Sequence, residues 1–275
     1  MRIPFWKMHG AGNDFILVDD RQETFPAGNQ AWMADLGTRR TGIGCDGFIL
    51  IQPSKTATFS MRFFNPDGRE AEMCGNGARC VARLAHDIGL APERMTIQTV
   101  AGQLDADIVG PNVRLHMTPP RDWTIHADLT LDDQTLDIGF VNTGVPHAVV
   151  EVEHLQACDV QTIGAAIRYH KDFAPAGTNA NFITVSGPKA LSIRTYERGV
   201  EAETLACGTG IVASALVAAR RDRVSPPVQV STAGRDTLTV DFTLTDDSAD
   251  NVTLLGPAVH VFQGTLEEPS RGHTG

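Results

Sequence analysis

No stretch of the 275-residue chain stays apolar for the roughly 18 residues that a membrane-spanning helix needs. The opening MRIPFWKMHG likewise has no apolar segment of signal-peptide length. A cytoplasmic protein that does not engage membrane is expected. No run of Lys or Arg exceeds two, and 23 basic against 33 acidic side chains leave a formal charge of −10. That balance argues against a nucleic-acid or anionic-membrane surface and for a small-molecule partner. The five cysteines, Cys45, Cys74, Cys80, Cys158 and Cys207, are odd in number and include no CxxC pair. Neither a disulfide framework nor a four-ligand zinc site fits them. With 42% hydrophobic, 20% charged and only 6% aromatic residues, the composition is that of an ordinary globular protein. At roughly 150 residues per domain, the length suggests two domains.

What is present is glycine in short bursts: HGAGND (9–14), TGIGCDG (41–47), CGNG (74–77), NTGVPH (142–147) and CGTG (207–210). Between them, FILVDD, FILIQ, TFSMRFF, TIQTV, QLDADIV and VRLHMT read as strands in the first half. HAVVEV, NFITV, LSIRTY, VQVST, TLTVDFTL and VTLL read as strands in the second. Helices are predicted over 30–37, 77–89, 160–170 and 209–221. Few strand–helix–strand crossovers can be drawn, so the expected class is α+β rather than a doubly wound parallel sheet.

The chain also repeats itself. EAEMCGNGARCVARLA (70–85) and EAETLACGTGIVASALVAA (201–219) share a Glu-Ala-Glu lead, a Cys-Gly-x-Gly turn and an alanine-rich helix. Two similar domains, 1–117 and 118–261, are expected, with strand signals lapsing through 117–123 because Pro119-Pro120 cannot sit inside a sheet.

A Cys before Gly-x-Gly at a helix start faces unsatisfied N–H groups and the positive end of the dipole, which lowers the thiol pKa. The same N–H groups can hold a carboxylate that the glycines allow to come close. Two such turns on either side of a bound carbon would suit inversion of a stereocentre. One thiolate would take the α-proton while the other thiol delivers one to the opposite face, with no pyridoxal phosphate and no metal required.

The segments KMHGAGNDFILVD, RRTGIGCDG, FFNPDGREAEMCGNGARC, NTGVPHAVV, GTNANFITV and TYERGVEAETLACGTG resemble the diaminopimelate epimerase family, cofactor-independent two-cysteine enzymes of lysine and peptidoglycan precursor synthesis. The resemblance implies two pseudo-symmetric α/β domains, each a curled mixed sheet around a central helix. It also implies a C-terminal strand at about 262–275 returning to the first domain, and a homodimer. It makes Cys74 and Cys207 the acid/base pair. Asn13, Asn65, Asn179 and Arg198 would hold the polar ends of the substrate, with Arg198 the bidentate partner of the distal carboxylate. Glu197 and His147 would line the site, and backbone donors at Gly75, Asn76, Gly208 and Thr209 would take the α-carboxylate.

Two positions depart from the family pattern: Val145 stands where many relatives have Asn, and Gly47 where some have Gln. Both bear on recognition of the non-reacting end. The literal GxGxxG at Gly42, Gly44 and Gly47 follows a helix and precedes a strand, the reverse of a dinucleotide site. Three other readings compete. A proline or hydroxyproline racemase typically has His where Asn76 stands and lacks HGAGNDF. A dehydratase or isomerase relative would have lost the cysteines. A thiol-switch binding protein would use Cys74 and Cys207 only for a reversible disulfide. Cys45 and Cys80 read as packing residues, Cys158 has no partner motif, and residues 267–275 read as a tail of no evident role.

Overall fold

The computed structural model describes residues 2–71, 73–132 and 134–267. Glu72, the last residue of the first Glu-Ala-Glu lead, and residues 268–275, which hold the end of the expected C-terminal strand and nearly all of the expected tail, lie outside the described residues. The chain divides into two compact units, Met1–Leu115 with Pro257–Gly275, and His116–Gly256.

In the first unit, β1 (Arg2–Gly10) and β2 (Asn13–Asp19) form an antiparallel hairpin closed at Gly10 and Asn13. Its two turn residues, Ala11 and Gly12, have φ of 56° and 89°, the left-handed pair that a two-residue hairpin requires. Next comes α1 (Gln30–Gly37), capped by Asn29 Oδ1 accepting from Trp32 N. Parallel to β2 runs β3 (Gly47–Gln52), antiparallel to β3 runs β4 (Phe59–Phe64), and β5 (Glu70–Ala71) folds back on β4. After α2 (Gly75–Asp87), β6 (Arg94–Thr99) lies parallel to β4 and antiparallel to β7 (Gly102–Val109), and β8 (Asn112–His116) closes this part of the chain.

The second unit has its own nine strands among the described residues. β9 (Arg121–Thr130) pairs antiparallel with β10 (Thr135–Asn142), and β10 with β11 (Pro146–Glu151). After α3 (Val160–Arg168), β12 (Asn179–Gly187) runs parallel to β11, β13 (Ala190–Glu197) antiparallel to β12, and β14 (Ala202–Thr204) folds back on β13. After α4 (Gly208–Arg220), β15 (Val228–Ser231) lies parallel to β13, followed by antiparallel β16 (Thr237–Leu244) and β17 (Ala249–Pro257). The last strand, β18 (Val259–Glu267), lies antiparallel on β1.

The order and sense of pairing from β1 to β7 therefore recur from β10 to β16, and β18 flanks β1 as β9 flanks β10. Each unit is a mixed sheet around one helix. Within its own unit α2 packs on β1, β2, β3, β4 and β7, and α4 on β10, β11, β12, β13, β15 and β16. Both helices run thirteen residues, and every residue of α4 from Gly210 to Ala219 is buried. A helix enclosed all round needs apolar side chains all round and small ones wherever strands come close, which is what α4 supplies, whereas α2 also buries Arg79.

One expectation is corrected. Strand signals do not lapse through 123, because β9 starts at Arg121. Trp123, Ile125, Ala127 and Leu129 alternate with polar residues at the period of a half-covered strand. Only the segment around Pro119 and Pro120 stays outside the sheet. β10, equally unanticipated, is its antiparallel partner.

Candidate active site

In the first unit, Cys74 is the N-cap of α2, in extended conformation (φ −135°, ψ 118°), and its carbonyl accepts from Ala78 N at 2.8 Å. Its side chain makes no capping bond, and the first turn contains no Asp or Glu. The positive end of the helix is thus not compensated by a carboxylate of its own first turn. A Cβ on Gly75 would meet nothing within 4 Å, whereas one on Gly77 would lie 2.8 Å from Ile49 Cδ1. The first glycine leaves open approach to the turn; the second lets the helix settle on β3.

Hydrogen bonds tie this turn to the hairpin. Asn76 Nδ2 donates to Asn13 Oδ1, Arg79 donates to Asn76 Oδ1 at 2.8 Å, and Asn13 Nδ2 donates to Asp46 at 3.1 Å. Asp46 also accepts from Asp14 N and Arg39, and Asp14 pairs with Arg39 and with the buried Lys7 at 2.7 Å. Burial pushes the Asp14 carboxyl up, but the Arg39 and Lys7 hydrogen bonds outweigh it and hold the group below the usual carboxylate range. Asn65 heads a turn in which its N–H bonds Arg69 O and its carbonyl accepts from Gly68, whose φ is +82°. Gly47 has no room for any side chain: its Cβ would lie 2.5 Å from Phe63 and 2.6 Å from the Phe64 carbonyl.

In the second unit, Cys207 caps α4 in the same way (φ −112°, ψ 109°), again with no side-chain cap and no carboxylate in the first turn. Its Sγ lies 3.5 Å from Thr209 Oγ1. That hydroxyl lies 2.9 Å from His147 Nε2, and His147 Nδ1 lies 3.1 Å from Asn181 Nδ2. His147 is fully buried; burial, with Arg198 adding to it, pushes its pKa down to about 3, so the imidazole is neutral. The Asn179 side chain donates to Pro146 O at 3.0 Å and accepts from Arg198 N at 2.8 Å, fixing where Arg198 leaves β13. Arg198 Nη1 donates to Ala176 O at 3.2 Å. Burial raises the Glu197 carboxyl pKa, against the opposing hydrogen bond that Thr204 donates to it.

The other cysteines differ in kind. Burial pushes the Cys45 and Cys80 thiols up to about 12 and raises that of Cys158, which suits packing rather than nucleophilic or acid–base work. Sequence reasoning missed Asn181, Thr195 and Thr143 in the second unit and the Lys7, Asp14, Arg39 and Asp46 cluster in the first. One signal for Asn181 was present: a polar residue at two-residue spacing from Asn179, on the same side of an otherwise apolar strand.

Comparison with known proteins completes the picture. The family model described as diaminopimelate epimerase matches residues 5–123 and 139–261. A curated protein named diaminopimelate epimerase from Chlorobaculum tepidum is 46% identical over 263 residues, 94% of this chain and 99% of that one. Another of the same name, from Aquifex aeolicus, is 40% identical over 278 residues, 97% of this chain and 98% of that one. Among solved structures, the phenazine biosynthesis protein of the PhzF family from Bacillus anthracis superposes with a TM-score of 0.74 at 18% identity, covering 98% of this chain and all of that one. At that identity it speaks to the fold alone.

Proposed function

The chain belongs to the diaminopimelate epimerase family, and from that premise we propose that it interconverts LL- and meso-diaminopimelate by two-base proton transfer between Cys74 and Cys207. One cysteine stands as thiolate and the other as thiol. The thiolate takes the α-hydrogen as a proton, the C–H bond breaks, and its electron pair delocalises into the α-carboxylate. The thiol then gives its proton to the opposite face, a new C–H bond forms, and the two sulfurs have exchanged states. Amino and carboxylate groups are otherwise untouched, so no cofactor enters the balance.

The observation that carries this reading is the matched pair of cysteine N-caps, each in extended conformation at the start of a thirteen-residue helix with no Asp or Glu in its first turn. The N–H groups of Gly75, Asn76, Gly208 and Thr209 are then the donors for the α-carboxylate, where charge accumulates. Arg198 takes the distal carboxylate, with Asn13, Asn65, Asn179, Glu197 and His147 completing the site. The step serves lysine and peptidoglycan precursor supply in the cytoplasm. No helix among the described residues is long and apolar enough to cross a membrane.

The test is incubation of reduced protein in D₂O with LL-diaminopimelate and, separately, L-proline and trans-4-hydroxy-L-proline, following α-proton loss and stereoisomer ratio. Exchange with inversion of diaminopimelate alone is expected. Turnover of a proline instead would move the substrate assignment, and silence on all three would overturn the enzymatic reading.

A further inference from the structure

Asn181, Thr195 and His147 are 0%, 3% and 0% exposed, three polar side chains in a sheet interior that apolar ones could fill. The first unit shows that they could. Asn181 is the third residue of β12 and pairs with Thr195; Ile49 is the third residue of β3 and pairs with Phe63. His147 stands opposite the first residue of β12, and Phe15 opposite the first residue of β3. A Cβ at Gly210 would meet Asn181 Oδ1 at 2.4 Å, as one at Gly77 would meet Ile49. Where the first unit packs Phe15, Ile49 and Phe63, with the two rings edge to face at 6.2 Å, the second therefore carries a hydrogen-bonded trio. Buried polar groups cost free energy unless each is hydrogen-bonded, whereas an apolar set carries no such condition, and the first unit shows that the fold does not require the polar one.

The trio's bonds fix its protons. The Ala148 carbonyl can only accept, so the Asn181 atom 2.9 Å from it is the amide nitrogen. With the amide so oriented, its oxygen accepts from Thr195 Oγ1 at 3.0 Å. That nitrogen's second hydrogen is directed to His147 Nδ1 at 3.1 Å. Nδ1 therefore accepts, and the single proton of the neutral ring sits on Nε2, donating to Thr209 Oγ1. With Thr209 Oγ1 accepting from His147, its own hydrogen is available for Cys207 Sγ. Thr143 Oγ1 anchors the Thr209 carbonyl at 2.9 Å. Arg198, the charged group whose field reaches His147, disfavours the imidazolium.

We propose that Asn181 and Thr195 are positioning residues: they hold His147 as the Nε2–H tautomer, so that the Thr209 hydroxyl donates to Cys207 and stabilises its thiolate. This rests on reading Cys207 as one of the two acid–base thiols. No proton leaves the chain of hydrogen bonds; its direction is what matters.

Two measurements on the whole protein test it. In ¹⁵N-histidine-labelled protein, the ring-nitrogen correlations of His147, assigned by loss in His147→Gln, should show the Nε2–H form; the Nδ1–H form would overturn the proposal. Second, iodoacetamide alkylation is followed against pH on the Cys207 peptide by mass spectrometry. Thr209→Val keeps the backbone N–H and removes the hydroxyl. It should raise the Cys207 titration by about one pH unit, slowing alkylation roughly tenfold below it. Asn181→Leu and Thr195→Val should shift it in the same direction, and Thr195→Ser should restore the native profile. Folded variants with an unchanged Cys207 profile would overturn the relay. If Asn181→Leu fails to fold, the native tautomer and Thr209→Val decide. Shifted profiles in a protein that does not epimerise diaminopimelate would leave the relay standing and remove only the substrate assignment.

Discussion

Removing one sulfur removes one face of the proposed reaction. Cys74→Ala and Cys207→Ala are expected to abolish epimerisation, and the serine variants to leave a trace, because a hydroxyl is a far weaker acid than a thiol. Near-normal turnover in either alanine variant, measured by chiral chromatography, would sink the two-base mechanism. Arg198→Ala should chiefly raise KM for diaminopimelate, through loss of a bidentate carboxylate partner. An unchanged KM would mean that the arginine does not bind the distal end. His147 makes a separate prediction about stability. Its folded pKa of about 3 lies below the ordinary value of 6.5, so between those limits the unfolded chain binds the extra proton. Stability from this residue is intact above 6.5 and falls as pH drops toward 3, by up to about 1.4 kcal/mol per unit. Urea unfolding at several pH values should show a shallower pH dependence in His147→Gln than in the native protein; identical slopes would contradict a buried neutral imidazole.

At the scale of the element, the two Cys-Gly-x-Gly turns fail differently when crowded. An added methyl at Gly77 meets Ile49 Cδ1, the movable end of an aliphatic chain; at Gly210 it meets Asn181 Oδ1 at 2.4 Å, an atom held by Thr195. Gly210→Ala should therefore destabilise more than Gly77→Ala, toward the upper end of the ~1–3 kcal/mol typical of overpacking. Thermal denaturation of the two variants makes the comparison; equal losses would deny Asn181 its fixed place. The elements themselves were largely legible. The predicted helices at 30–37, 77–89, 160–170 and 209–221 correspond to α1, α2, α3 and α4, because periodicity and capping act within a few residues. β9 was missed because the prolines at 119 and 120 overshadowed an alternating pattern that starts at the next residue. Half of the candidate site was legible for the same local reason: cysteine, glycine and helix are contiguous. The polar trio was not, since Asn181 and Thr195 acquire meaning only when β12 and β13 pair and α4 packs over them.

For the molecule as a whole, the proposed reaction, which needs two thiols at one carbon, would also make them vulnerable together. Mild oxidation is expected to join Cys74 to Cys207 and stop turnover, with recovery on reduction. Full activity in oxidised protein with no bridged peptide by mass spectrometry would count against the mechanism. We further propose a homodimer. The apolar side chains supporting it are on β18, where Val259, Val261 and Phe262 are 41%, 55% and 49% exposed. Sedimentation should give a dimer that Phe262→Glu weakens; a native monomer would end the proposal.

The sequence by itself determined the α+β class, the internal repeat and the two cysteines that the proposed reaction uses, since each is written in neighbouring residues whose chemistry is local. Only the tertiary structure decided that the two halves of the repeat are furnished differently. Phe15, Ile49 and Phe63 under one helix, and His147, Asn181 and Thr195 under the other, come from strands far apart in the chain. Their proton arrangement exists only after sheet registry has set donor against acceptor.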